Sequence, residues 1–198
     1  RTALELLAEQ AGVEPRWRVR IEKRLPVAAG LGGGSSDAAT ALRLANTTTQ
    51  LDGDALHDVA ARVGADVPFF LREGPQLGSG DGTTLDQVEL PQDFWIVLLL
   101  PSGARKESTG AVYAAFDARD GAAGWDGRAA AFRAALANVR RPRDLAALPP
   151  NDLARSPLAD ELRASGAFHA DVSGAGPTVY GLFHHRADGR NLGLGQAL

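Results

Sequence analysis

The chain has 198 residues, 44% of them hydrophobic and 23% charged, with a formal net charge of −3; this suits one large globular domain or two small ones, and the acidity argues against a general nucleic-acid binder. It contains no cysteine, which excludes disulfides and thiolate chemistry and fits a cytoplasmic protein. No signal peptide or apolar run long enough to span a bilayer is present, so no membrane partner is expected.

Residues 2–11 read as a helix with Leu4, Leu7 and Ala11 on one face. The chain begins inside this element, without methionine there or anywhere else, so the expectation is that an upstream part is missing. Trp17-Arg18-Val19-Arg20-Ile21 then alternates apolar and basic residues, the period of a half-buried strand. Arg16, Arg18, Arg20, Lys23 and Arg24 are the exception to the acidic balance and read as a solvated strand face.

The most informative stretch follows: Leu25-Pro26-Val27-Ala28-Ala29-Gly30-Leu31-Gly32-Gly33-Gly34-Ser35-Ser36-Asp37-Ala38-Ala39. Its glycines let the backbone approach a ligand and present N–H groups. Ala38, Ala39, Ala41, Leu42 and Ala45 continue at helical spacing, and Ser35 or Ser36 is expected to cap that helix. A helix start adds free N–H donors and the positive end of its dipole. Together these make a site for an anion, best a nucleotide phosphate, against the plainer reading of a tight structural turn. No lysine follows the glycines, so this is not a Walker A loop. Residues 47–58 show no second strand ending in a ribose-binding acid, so it is not a Rossmann fingerprint.

Residues 54–63 carry Leu56, Val59, Ala60 and Val63 at helical spacing, with Gly64 at the C-cap position. Asp66 then sits among apolar residues in Ala65-Asp66-Val67-Pro68-Phe69-Phe70-Leu71, just before a proline. Residues 72–86, rich in glycine and turn formers, read as a domain boundary or a connecting hairpin. Phe94-Trp95-Ile96-Val97-Leu98-Leu99-Leu100 reads as a buried strand. A helix near residues 109–116 follows, then a loop at 117–127 holding a surface Trp125, then an alanine-rich helix over 128–139. Trp17 and Trp95 are expected in the core. Asn151, after Pro149-Pro150, can cap the next helix. Residues 171–183 combine a second glycine turn with a β-rich run. His57, His169, His184 and His185 share no metal-ligand spacing, and the last two would point to opposite faces of a continuing strand.

Lys23-Arg24-Leu25-Pro26 and the glycine loop resemble the second motif of the GHMP kinase superfamily. Gly64-Ala65-Asp66-Val67-Pro68-Phe69-Phe70 narrows the resemblance to the branch that phosphorylates a diphosphocytidyl methylerythritol in non-mevalonate isoprenoid synthesis. Thr109-Gly110-Ala111-Val112-Tyr113, Asn151-Asp152-Leu153 and Ser173-Gly174-Ala175-Gly176-Pro177-Thr178-Val179-Tyr180-Gly181 are similar to later motifs of that branch, in the same order. The resemblance implies an α+β, two-domain fold. Residues 1–74 would be a ribosomal S5 domain 2-like ATP-binding domain, incomplete at its N-terminus, and residues 75–198 a ferredoxin-like C-terminal domain.

The resemblance also implies phosphoryl transfer from ATP, with Mg²⁺, to the 2-hydroxyl of a small-molecule substrate between the domains. On it Pro26, Val27, Ala28, Ala29, Gly30, Leu31, Gly32, Gly33, Gly34, Ser35 and Ser36 would bind ATP. Asp66 would be catalytic and touch the substrate. Thr109, Tyr113, Gly174, Ala175 and Gly176 would line the substrate site, with Tyr113 facing the cytosine. Phosphoryl transfer is mostly positioning and charge stabilisation, which backbone N–H groups and a helix N-terminus supply. Asp66 would accept or orient the proton of the attacking hydroxyl; the plainer reading is a helix-end acid capping a turn.

The first motif of that branch, a strand with a catalytic lysine and residues for the cytidine end, has no counterpart here. Lys23 and Lys106 are the chain's only lysines, and neither lies in a counterpart of that first motif. Residues 47–51 lack the tryptophan often found in that linker, and residues 191–198 do not resemble the family's final helix and strand. The expectation is a fragment with little or no kinase activity of its own. Rival readings are another GHMP kinase of the homoserine or mevalonate type, or a non-catalytic nucleotide- or RNA-binding module on an S5-like fold. A third is a truncated chain that folds poorly because a lost strand leaves a sheet edge open. The motifs do not distinguish a monomer from a homodimer.

Overall fold

The structure, a computed structural model, describes residues 2–101 and 108–186. Lys106 and residues 191–198 lie outside them. The chain divides into two units: Arg1–Val27 with Gly32–Glu89, and Ala28–Leu31 with Leu90–Leu198.

Three helices build the core of the first unit: α1 (Thr2–Ala11), α2 (Gly33–Thr49) and α3 (Gly53–Val63). Each carries one apolar stripe at helical spacing. Ala3 and Leu7 of α1, Ala39, Leu42 and Ala45 of α2, and Val59 and Ala60 of α3 form one buried cluster. The chain turns from α2 to α3 through Asn46, whose side chain accepts from Leu51 N–H at 2.8 Å and donates to Leu51 C=O at 3.0 Å. Asp52 then caps α3 by accepting from Ala55 N–H at 2.8 Å. After Gly64 a turn leads to a 3₁₀ helix, Pro68–Leu71, with proline at its start. Strands β1 (Gln76–Ser79) and β2 (Thr84–Gln87) pair antiparallel, so residues 72–86 are the connecting hairpin of the two readings.

The strand expected at 17–21 does not form. A strand exists through its neighbour's ladder bonds, and no described strand pairs with this segment. Its alternation still sorts the side chains. Trp17, Val19 and Ile21 line a groove of about 680 Å³ beside α1 and α2, while Arg16, Arg18 and Arg20 are exposed. Trp17 packs on the helical core and donates its indole N–H to Thr48 Oγ1 at 3.2 Å.

The second unit is built on an antiparallel sheet in the order β3-β5-β4: β3 (Trp95–Leu99), β4 (His169–Val172) and β5 (Val179–Phe183). Val179 of the central strand lies opposite both Leu99 and Val172. Helix α6 (Pro157–Ala164) covers one face, where Ala159 and Leu162 meet Ala170, Val172, Val179 and Phe183. Gly181 permits that approach, because a Cβ there would lie 3.3 Å from Leu162 and 3.1 Å from Phe183. Leu182 faces the other way, onto Val139 and Leu145. Helices α4 (Thr109–Ala118) and α5 (Trp125–Ala137) bury none of their residues fully.

Four local readings change. The apolar run at 94–100 forms a strand but not a buried one. It is the sheet edge, with Trp95 48% and Ile96 58% exposed, because apolar content reports burial appetite and not position in the sheet. Trp95 is therefore not core; its ring lies 5.3 Å beneath the Arg186 guanidinium. The alanine-rich helix begins at Trp125, not 128, since Gly124 in the left-handed region starts it earlier, so Trp125 is an exposed helix residue and not a loop one. Asn151 caps no helix: α6 starts at Pro157 behind Ser156, whose hydroxyl accepts from Leu158 N–H at 3.3 Å. The strand also ends at Phe183, and His184 stacks on Phe168 at 4.5 Å.

Candidate functional site

The glycine loop winds tightly. Ala28, Gly30 and Gly32 have φ of 61°, 79° and 65°, all left-handed. Within the second unit, Ala28–Leu31 pack against the glycine turn between β4 and β5. The Ser173 hydroxyl donates to the Gly30 carbonyl at 2.8 Å, and Thr178 N–H donates to the Ala29 carbonyl at 3.2 Å. A Cβ on Gly30 would lie 2.5 Å from the Gly176 carbonyl oxygen and 2.8 Å from that of Ser173. Glycine is required there by packing as well as by φ.

In the first unit the loop becomes α2. Gly32 is its N-cap and no side chain caps the helix. The expected cap at Ser35 or Ser36 is absent, because Gly32 already occupies the non-helical position and both serines lie in the first turn. Ser36 N–H makes an early helical bond, to Gly32 C=O at 2.9 Å, so the N–H groups of Gly33, Gly34 and Ser35 precede the ladder. A Cβ on Gly33 or Gly34 would meet nothing within 4 Å. One on Gly32 would strike the Phe70 ring at 2.7 Å, which seats the 3₁₀ helix after Asp66 against the start of α2. Lys23 is ion-paired to Asp37 of α2. Asp66 is exposed in the turn ahead of Pro68, and among the described residues none shares a hydrogen bond or ion pair with its carboxylate.

In the second unit Gly174 and Gly176 are left-handed, with φ of 54° and 74°. Ser173 N–H donates to Thr178 C=O and Gly176 N–H to Ser173 C=O, each at 2.9 Å. What sequence reasoning missed is the role of Asn151 at this turn. Its Nδ2 donates to Gly174 C=O at 2.7 Å and to Val172 C=O at 3.0 Å, while its Oδ1 accepts from Leu153 N–H at 2.8 Å. The available signal was the tripeptide Asn151-Asp152-Leu153, which lacks a helical pattern directly after it. Below the turn, His169 Nε2 lies 3.2 Å from the Tyr180 hydroxyl. Burial lowers the His169 pKa against the pull of Asp171; burial and Asp171 push that of Tyr180 up to about 12. Thr109 and Tyr113, four residues apart on α4, share a helix face, and Tyr113 is half-exposed. Among the described residues no group of three His, Asp or Glu could hold a metal ion, and no described helix is long and apolar enough to cross a membrane.

Known proteins resemble this chain in sequence and fold. The family model of the GHMP kinases N terminal domain matches residues 1–74, and that of the GHMP kinases C terminal matches residues 156–193. The class defined by fold and loop is therefore the GHMP kinases. A 4-diphosphocytidyl-2-C-methyl-D-erythritol kinase of Chlorobium phaeobacteroides (strain BS1) is 35% identical over 96% of this chain and 68% of its own. One from Anaeromyxobacter sp. (strain K) is 39% identical over 97% of this chain and 62% of its own. A crystal structure of 4-(cytidine 5'-diphospho)-2C-methyl-D-erythritol kinase superposes with a TM-score of 0.70 at 30% identity, covering 99% of this chain and 74% of that one. The chain belongs to the 4-diphosphocytidyl-2-C-methyl-D-erythritol kinase family. It spans 62% of the length of the Anaeromyxobacter sp. (strain K) relative.

Proposed function

We propose that this chain carries the nucleotide loop and catalytic aspartate of a kinase that transfers phosphate from ATP to the 2-hydroxyl of 4-diphosphocytidyl-2-C-methyl-D-erythritol. The observation that carries the reading is the start of α2. Three N–H groups at Gly33, Gly34 and Ser35 lack a side-chain cap, and no packing demands the missing Cβ atoms of the two glycines among them. A polyphosphate fits that demand. Residues 26–36 cradle ATP, and Asp66, exposed and without a described partner, takes or orients the proton of the attacking hydroxyl. Thr109, Tyr113 and residues 174–176 contact the substrate, Tyr113 at its cytosine. The ATP-binding domain is residues 1–74 and the C-terminal domain 75–198. Mg²⁺ enters with the nucleotide and, when bound, neutralises phosphate charge; such an ion keeps most of its ligands from phosphates and water, and the described residues offer no cage for it. The setting is the cytoplasm, with no nucleic-acid partner.

The test compares the 198-residue chain with one extended to the length of its relatives. ³¹P NMR follows formation of a phosphomonoester from ATP, Mg²⁺ and the diphosphocytidyl substrate. The extended protein forms it and the shorter chain forms little. Equal or faster turnover of homoserine or mevalonate assigns a different GHMP kinase.

A further inference from the structure

We infer that Asn151 and Asp171 are positioning residues for the nucleotide loop, acting through the second glycine turn. The inference rests on the reading of residues 26–36 as the ATP loop. Asp171 is 9% exposed on β4, and both its oxygens are engaged: Oδ1 accepts from Val172 N–H at 2.7 Å and Oδ2 from Asn151 N–H at 2.6 Å. A strand of the sheet thus fixes the Asn151 backbone. The Asn151 side chain in turn holds the Val172 and Gly174 carbonyls, the entry to the turn. The turn grips the first loop through Ser173 on Gly30 and Thr178 on Ala29.

Glycine segments with left-handed residues have little conformational preference of their own. A loop that is already held loses less freedom when it closes on phosphates. The relay supplies that hold from a rigid sheet. It also explains why an asparagine stands at 151: its amide donates twice, to Val172 and Gly174, and accepts from Leu153 and Ala154 N–H, which neither a carboxylate nor a hydroxyl can do.

The experiment uses the 198-residue chain and its Asn151→Asp and Ser173→Ala variants. N151D keeps an acceptor for Leu153 N–H and loses both donors. NMR amide exchange reports the Thr178 and Gly176 protons, and calorimetry reports ATP binding. N151D is expected to speed exchange at Thr178 and Gly176 by at least about tenfold, since two hydrogen bonds to the turn are lost, with α6 amides at wild-type rates. ATP affinity falls by a similar factor. S173A gives the same result at Thr178 and keeps the test open if N151D fails to fold. Acceleration spread equally over α6 and β4, with ATP affinity per folded molecule unchanged, overturns the inference, as does unchanged Thr178 exchange in both variants. A wild-type chain that binds no ATP refutes the nucleotide reading of the loop, while amide exchange still decides whether the relay holds it.

Discussion

Replacing Gly30 with alanine will loosen the fold, whereas replacing Gly34 will leave the fold alone and remove the nucleotide. At Gly30, φ is +79°, a conformation that costs an alanine about 1–2 kcal/mol. The new methyl would also sit 2.5 and 2.8 Å from two backbone oxygens. The two segments must part, releasing the Ser173–Gly30 and Thr178–Ala29 bonds, each worth about 1 kcal/mol. The sum is roughly 3–4 kcal/mol, a lowering of Tm by about 10 °C for a chain of this size. At Gly34 the helical backbone and empty surroundings accept a methyl, and alanine gains up to about 1 kcal/mol in helix propensity. The same methyl stands where the phosphates need the backbone, so ATP affinity drops at least about tenfold, the equivalent of about 1.4 kcal/mol. Thermal unfolding by circular dichroism and ATP calorimetry on both variants read the two effects separately. A G30A variant melting within a degree of wild type refutes the packing argument, and a G34A variant binding ATP normally refutes the cradle.

Other perturbations follow from the same geometry. Leu42 is fully buried, so Leu42→Ala will cost about 2–5 kcal/mol in urea unfolding. Asp66→Asn will lower kcat of the extended protein by about 10²–10⁴ with no fall in its unfolding midpoint, because the carboxylate is exposed. His169 titrates below its ordinary 6.5 in the fold, so the unfolded chain protonates first; its contribution is whole above 6.5 and is lost as pH falls through the folded pKa, a slope that His169→Gln flattens. Tyr180, raised from 10.0 to about 12, contributes stability that is whole below 10 and lost as pH rises towards 12; Tyr180→Phe removes that limb of the urea-stability profile. Ile96→Lys on the exposed edge strand will change stability by less than about 1 kcal/mol in urea unfolding, because Ile96 is 58% exposed.

What could be read in advance depended on which physical quantity each pattern reports. Helices α1, α2 and α3 were legible because a helix satisfies its backbone internally, so its own apolar period suffices. Residues 17–21 show the opposite case. Alternation sorts Trp17, Val19 and Ile21 from the arginines, yet it cannot supply the neighbouring strand that would make the segment a ladder. The apolar run of β3 failed differently: its residues suit a core, but only the pairing order reveals that β5 took the centre. At α2, serine has the chemistry of a cap, and Gly32 pre-empted it by a backbone conformation that serine seldom adopts. Asn151 was legible as a polar residue at a stop signal, but its partners lie more than twenty residues away, on Val172 and Gly174.

The two glycine motifs illustrate the remaining gap. Read along the chain they are separate sites, one for phosphates and one lining a cleft. In the second unit Gly30 and Ser173, 143 positions apart, are hydrogen-bonded, and Gly30 has no room for a side chain because the Gly176 carbonyl fills it. Half of the first loop's glycines therefore exist for packing, Gly30 against the second motif and Gly32 against the Phe70 ring. Gly33 and Gly34 have no such cause. Substitutions in residues 173–178 must then read out in the conformation of 28–31, and the glycines left unexplained by packing are the ones to which a ligand is assigned.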